Sequence, residues 1–215
     1  MKFKKEKKIE VIRLEYKSNN ANQDGVIFKP LHNKKGASVV FIHGHASDAW
    51  KSSYFGYLLA TQGFNAFLPS QRGYGFSEGA PDFCGPKTVA SISRGVKIFL
   101  DQSFVDKERV GVWGISRGAT VAAQLLVKNP EIFKVGVLQS GAYEMKINYE
   151  TTKIQGIKNV IKKEAGTTRK SFSDRSPIYG ATSIACPILI LHGKNDERIL
   201  VQQAELLDRK LNELK

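Results

Sequence analysis

The residues best suited to chemistry lie in Arg109-Val-Gly-Val-Trp-Gly-Ile-Ser-Arg-Gly118. A β-branched run feeds Gly114-Ile-Ser116-Arg-Gly118, and an alanine-rich helical pattern follows at once. Strand, sharp turn and helix form the setting in which G-x-S-x-G presents a serine hydroxyl as a nucleophile. Gly114 and Gly118 lack the Cβ atoms that would collide with the adjoining strand and helix. The plainer alternative is a buried serine in a tight glycine turn. A hydroxyl is a weak nucleophile until a neighbouring base takes its proton, and that base needs a third group to orient it. The candidate acid is Asp196, in His192-Gly-Lys-Asn-Asp196 just after an apolar run, where it could orient an imidazole and stabilise its protonated form. An ordinary loop-capping role is the competing reading for Asp196, and Asp174 and Glu197 are weaker rivals for the acid.

The oxyanion formed in acyl transfer needs donors fixed in advance. His43-Gly44-His45-Ala46 empties out of a continuous apolar strand, and a glycine there turns the backbone so that peptide N–H groups face a ligand. The backbone N–H groups of His45 and Arg117 are assigned to that role, with no part for either side chain. His43-x-His45 also invites a metal, but no third ligand pattern lies nearby, so no metal and no organic cofactor is expected. His43 and His45 are otherwise plain loop histidines.

These residues need a scaffold, and the chain's bounds restrict it. At 215 residues the chain suits one domain with a sizeable core. Apolar content of 41% and aromatic content of 10% exclude wholesale disorder. Lys+Arg 33 against Asp+Glu 20 leaves +13, enough to attract anions. The excess is dispersed and lacks zinc-finger spacing or an RNA-recognition signature, so no specific nucleic-acid partner is expected. A surface role for Lys2 to Lys8 and Lys153 to Lys170, on nucleic acid or membrane, would show binding that falls steeply with salt. The basic start lacks a signal-peptide core and no apolar run spans a bilayer, so a soluble cytoplasmic protein is the expectation. Cys84 and Cys186 stand far apart and read as reduced, half-buried residues.

Along the chain, Ile9 to Tyr16 and Gly25 to Pro30 read as an antiparallel hairpin, with Asn19 to Asp24 as its turn. Ala37 to Ile42 suits a strand buried on both faces. Helical spacing follows over Ser53 to Thr61, and Phe64 to Leu68 is the next strand. Gln71-Arg-Gly-Tyr-Gly-Phe-Ser-Glu-Gly79 makes a glycine-rich loop that could bring backbone near a substrate; it lacks the signature of a phosphate cradle. Thr88 to Gln102 is an amphipathic helix, Ala119 to Val127 a helix stopped by Asn129-Pro130, and Phe133 to Gln139 a strand. Residues 145 to 185 break the rhythm and read as a small excursion or cap, solvated first and gating second, with Ser171 to Pro177 irregular. Cys186 to Leu191 is a buried-type strand and Val201 to Leu214 the last helix. Alternating strands and helices predict an α/β architecture, a mostly parallel sheet with helices on both faces, binding ligands at the strands' carboxyl ends. His43, Gly73, Ser116, Gly141 and Asp196 all follow strands and would share one rim.

Taken in order, His43-Gly44, Arg72-Gly-Tyr-Gly-Phe-Ser-Glu-Gly79, Gly114-x-Ser-x-Gly118 and His192-Gly-x-x-Asp196 resemble the α/β-hydrolase fold. Within it the chain is similar to the prolyl-oligopeptidase-like and dienelactone-hydrolase-like branch, from about residue 24 onward. Ser176-Pro177 ahead of Pro187-Ile-Leu-Ile-Leu-His-Gly193 fits the same branch. The resemblance implies a serine hydrolase, esterase or peptidase, with Ser116 as nucleophile and Asp196 as triad acid, acting on a small ester or short peptide. It also implies a chain order of Ser, acid, then His. Here His32, His43, His45 and His192 all precede Asp196, and no histidine follows it. The general base is therefore unknown. The expectation is a C-terminally shortened, impaired hydrolase whose uncovered sheet edge favours self-association; a non-catalytic binding module with a basic face is the alternative.

Overall fold

A computed structural model describes residues 8–31 and 35–213. His32, Asn33, Lys34, Leu214 and all but the last residue of the basic Lys2–Lys8 segment lie outside the described residues. Seven strands form one sheet: β1 (Ile9–Ser18), β2 (Ala21–Pro30), β3 (Gly36–Ile42), β4 (Asn65–Pro69), β5 (Val105–Ile115), β6 (Val135–Gln139) and β7 (Ile188–Leu191). Their order across the sheet is β1-β2-β4-β3-β5-β6-β7. β1 and β2 are antiparallel, β2 meets β4 antiparallel, and every pairing from β4 to β7 is parallel. This is the mostly parallel sheet with an N-terminal hairpin that the alternation predicts.

Alternation along the strands explains why helices cover both faces. Val40, Ile42, Phe67, Val110, Val112 and Leu138 point into one core with α2 (Pro86–Leu100), α3 (Arg117–Lys128) and α7 (Gln202–Asn212). Their neighbours Phe41, Ala66, Leu68, Trp113 and Ile115 point the other way, against α1 (Ser53–Thr61). Burial of this kind contributes about 25 cal/mol per Å² of apolar surface and is the main force holding the layers together.

Three sequence expectations are corrected. The hairpin turn is not Asn19 to Asp24 but Asn19-Asn20 alone, both at positive φ (50° and 57°), with Ser18 paired to Ala21. Asparagine tolerates that left-handed conformation, which suits a two-residue hairpin. Gln23 and Asp24 stay in the strand because both are buried and hydrogen-bonded there: Ser91 donates to Gln23, and Arg13, Trp50 and Ser70 all donate to Asp24. Cys84 is fully buried and only Cys186 half-buried; both thiols are free. Finally, the start of the supposedly irregular Ser171 to Pro177 is helical: 171–173 closes a short helix, Arg169–Ser173, whose first turn is capped by the Thr168 hydroxyl accepting from the Ser171 N–H at 3.1 Å.

Between β6 and β7 the chain forms α4 (Met145–Thr151), α5 (Gln155–Glu164), α6 (Arg169–Ser173) and a 3-10 turn over Pro177–Ser183. Ala142, Met145, Ile161 and Phe172 give these helices a small core of their own. Among the described residues, no helix is long and apolar enough to cross a membrane.

Candidate active site

Ser116 sits between β5 and α3 at φ 55° and ψ −123°. A non-glycine residue pays for that conformation and keeps it only where its surroundings enforce it. They do so by contact. A Cβ on Gly118 would lie 2.1 Å from the Ile42 carbonyl oxygen, and one on Gly114 would lie 2.3 Å from the Gly118 oxygen. The Ser116 N–H donates to Gln139 on β6 at 2.7 Å, and the Ser116 carbonyl accepts from Ala119 in the first turn of α3. The side-chain hydroxyl has no hydrogen-bond partner among the described residues.

Ser116 opens onto a cavity of about 280 Å³. His45 and Arg117 line it from the β3 and β5 turns, Phe83 and Cys84 from the segment before α2, and Ile154, Ile157 and Val160 from the helical excursion. The wall is mostly apolar. The His45 and Arg117 amides find no acceptor among the described residues; Arg117 is the first residue of α3, where helical N–H groups lack internal partners.

Asp196 does not line this cavity, though its neighbours Arg198 and Ile199 do. Its Oδ1 accepts from the Arg198 and Ile199 N–H groups at 2.9 and 3.0 Å, the local capping arrangement. Oδ2 lies 3.6 Å from His192 Nε2. Of the rival acids, Asp174 is held by Lys170 and Glu197 is exposed.

The histidines differ sharply. His43 is buried; its Nδ1–H donates to the Gly44 carbonyl at 2.8 Å, and its Nε2 accepts from the Gln71 N–H at 2.9 Å. Burial pushes its pKa down to about 4, so it is neutral with its lone pair engaged. His192 donates from Nε2 to the Ile199 carbonyl at 2.7 Å, and its Nδ1 is buried without a partner. His45 Nδ1 faces the Tyr74 hydroxyl at 3.3 Å and Arg117 Nη1 at 3.5 Å.

Sequence reasoning gave the Arg117 side chain no part. It is 4% exposed and organises the floor behind Ser116. Nε donates to Gln71 at 3.1 Å, Nη1 donates to the Tyr74 hydroxyl at 2.6 Å, and Nη1 lies 2.9 Å from Glu164 Oε2. The last is an ion pair by distance and not a well-aligned hydrogen bond, since Oε2 has no hydrogen-bonding partner. The guanidinium is sandwiched between the Tyr74 and Phe83 rings, at 4.8 and 4.9 Å. One sequence signal pointed this way: Glu164 is the one carboxylate in the cationic run from Lys153 to Lys170. The glycine-rich loop after β4 also differs from expectation, because no residue of 71–79 lines the cavity and its contribution is the Gln71 and Tyr74 side chains that hold Arg117.

Comparison with known proteins fits this geometry. The chain is 26% identical to the acylaminoacyl peptidase of Pyrococcus horikoshii, with a TM-score of 0.85 over 99% of this chain and 36% of that one. An uncharacterized peptidase, YtmA, of Bacillus subtilis (strain 168) is 28% identical over 160 residues, 73% of this chain and 61% of the relative. Acylamino-acid-releasing enzyme 2 of Oryza sativa subsp. japonica is 24% identical over 82% of this chain and 25% of its own length. The chain thus spans between a quarter and about three-fifths of the length of these three relatives. Residues 50–215 match the model of the prolyl oligopeptidase family, so this α/β-hydrolase chain belongs to that family of serine peptidases.

Proposed function

We propose that Ser116 is the nucleophile of an acyl-transfer site that cleaves small esters or short peptides. Its Oγ would attack the carbonyl carbon, and the His45 and Arg117 backbone amides would receive the developing oxyanion. Collapse of that adduct expels the alcohol or amine and leaves an acyl-enzyme, which water hydrolyses to the acid. The observation that carries this reading is the enforced backbone of Ser116 at the mouth of an apolar cavity, beside two amides without acceptors. Asp196 is the proposed acid, with Oδ1 tied to its loop and Oδ2 3.6 Å from His192 Nε2.

The described histidines give this chemistry little help. His43 has its lone pair occupied, His192 has its proton on the Ile199 carbonyl, and His45 faces two donors. Turnover by this chain alone is therefore proposed to be weak, as expected where no described histidine serves as the base. A fluorophosphonate probe tests the nucleophile: slow labelling of Ser116, accelerated by free imidazole, is expected. A folded protein that stays unlabelled in imidazole would sink the reading. The same histidine geometry supports a second reading, a binding module that retains the cavity without turnover. Retention of short acylated peptides with no hydrolysis in imidazole would favour it. Self-association through β7 is supported by exposure of Leu189 and Leu191 on that edge strand, and light scattering showing only monomer would exclude it.

A further inference from the structure

The arrangement that denies His45 the role of base fits it for another. Arg117 can only donate hydrogen bonds, so the nitrogen it meets, His45 Nδ1, must accept. The guanidinium cannot easily turn away: Gln71 accepts from Nε, the Tyr74 hydroxyl and Glu164 both meet Nη1, and two aromatic rings cover its flat sides. The Tyr74 hydroxyl, itself receiving the Arg117 proton, shares its own between Glu164 and His45 Nδ1, each at 3.3 Å. A neutral imidazole accepting at Nδ1 carries its hydrogen on Nε2. Among the described residues nothing hydrogen-bonds Nε2, and His45 lines the cavity with Ser116.

We infer that the His45 side chain is a neutral hydrogen-bond donor, with its proton on Nε2, that supplements the backbone amides in holding the substrate oxyanion. This rests on the reading of Ser116 as the nucleophile. Burial and the neighbouring Arg117 and Arg198 cations both disfavour the imidazolium, while Glu164 opposes them; the net shift is downward. A neutral imidazole kept from ionising is an effective electrophile toward a carbonyl oxygen. The donor is held by residues of three segments, Tyr74, Arg117 and Glu164, so it is set before substrate arrives.

Two measurements test it. Nitrogen-15 NMR of the ring, assigned by loss of the signals in His45→Gln, should show a pyridine-type Nδ1 and a pyrrole-type Nε2 at neutral pH. The opposite tautomer, or an imidazolium, would overturn the inference. An alkylboronic acid, which forms a tetrahedral adduct on a serine, should bind His45→Ala about tenfold or more weakly than the parent. His45→Gln, whose amide N–H takes a similar place, should recover most of that loss. Equal affinity of parent and His45→Ala would refute the donor role. Ser116→Ala separates the two layers: if it binds the boronic acid as well as the parent, the nucleophile reading and the oxyanion role fail together, while the tautomer still stands on the NMR.

Discussion

Two strand-end turns carry the proposed chemistry, and they are built in opposite ways. The Ser116 turn is fixed by steric contact: backbone from β3, β5 and α3 presses together where Gly114 and Gly118 leave no room for a Cβ. The Asp196 turn is fixed by local side-chain capping, with one carboxylate oxygen holding two amides, and a Cβ on Gly193 would meet nothing within 4 Å. The first lies in the middle of the sheet, between strands paired on both sides. The second follows β7, which among the described residues pairs only with β6 and leaves Leu189 52% exposed. Packing from all sides can hold a strained backbone, whereas a capped loop at an edge holds an unstrained one.

That contrast can be broken at its strongest point first. Gly118→Ala must displace backbone carbonyls and is expected to cost roughly 4 kcal/mol or prevent folding, read by chemical denaturation. Glu164→Ala leaves the Arg117 guanidinium buried without its counter-ion, with an expected loss of about 3 kcal/mol in the same assay. Acid tests the buried imidazole beside the elbow. The folded pKa of His43, about 4, lies below its ordinary 6.5, so the unfolded chain binds the proton more readily. Its contribution is complete above pH 6.5 and falls away between there and pH 4, on the order of 3 kcal/mol in all. His43→Gln should flatten that part of the stability–pH curve. At the acid turn the effects shrink. Asp196→Ala removes the cap on Arg198 and Ile199 for an expected 1 kcal/mol or about that. Gly193→Ala is expected to change stability by less than about 0.5 kcal/mol. A Gly193→Ala cost equal to that of Gly118→Ala would erase the distinction between the two turns.

Much of this was legible along the chain because its causes are local. The β-branched approach to Ser116 and the flanking glycines specify a strand, a sharp turn and a helix within a few residues. The hairpin was legible as a pair of strands, but its turn was misread: Asn22, Gln23 and Asp24 are polar, and their place in β2 depends on Arg13 of the paired strand and on Trp50, Glu78 and Ser91 from far along the chain. The lysine run over 153–170 read as a solvated face, which α5 largely is, yet Ile161 is buried and Glu164 turns inward to Arg117. Polarity alone cannot distinguish a carboxylate left in water from one drawn in by a distant cation.

The sequence by itself determined the order of strands and helices outside 145–185, the rim on which their loops converge, and the elbow that presents Ser116. Periodicity and Cβ-free glycines act over neighbouring residues, so they can be read in one dimension. Only the tertiary structure decided the states of the histidines. Whether an imidazole is a base, a donor or a buried strut depends on which donors, acceptors and cations reach its two nitrogens. For His43 that is Gln71, for His192 it is Ile199, and for His45 it is Tyr74 and Arg117, four pairings that the fold alone brings together.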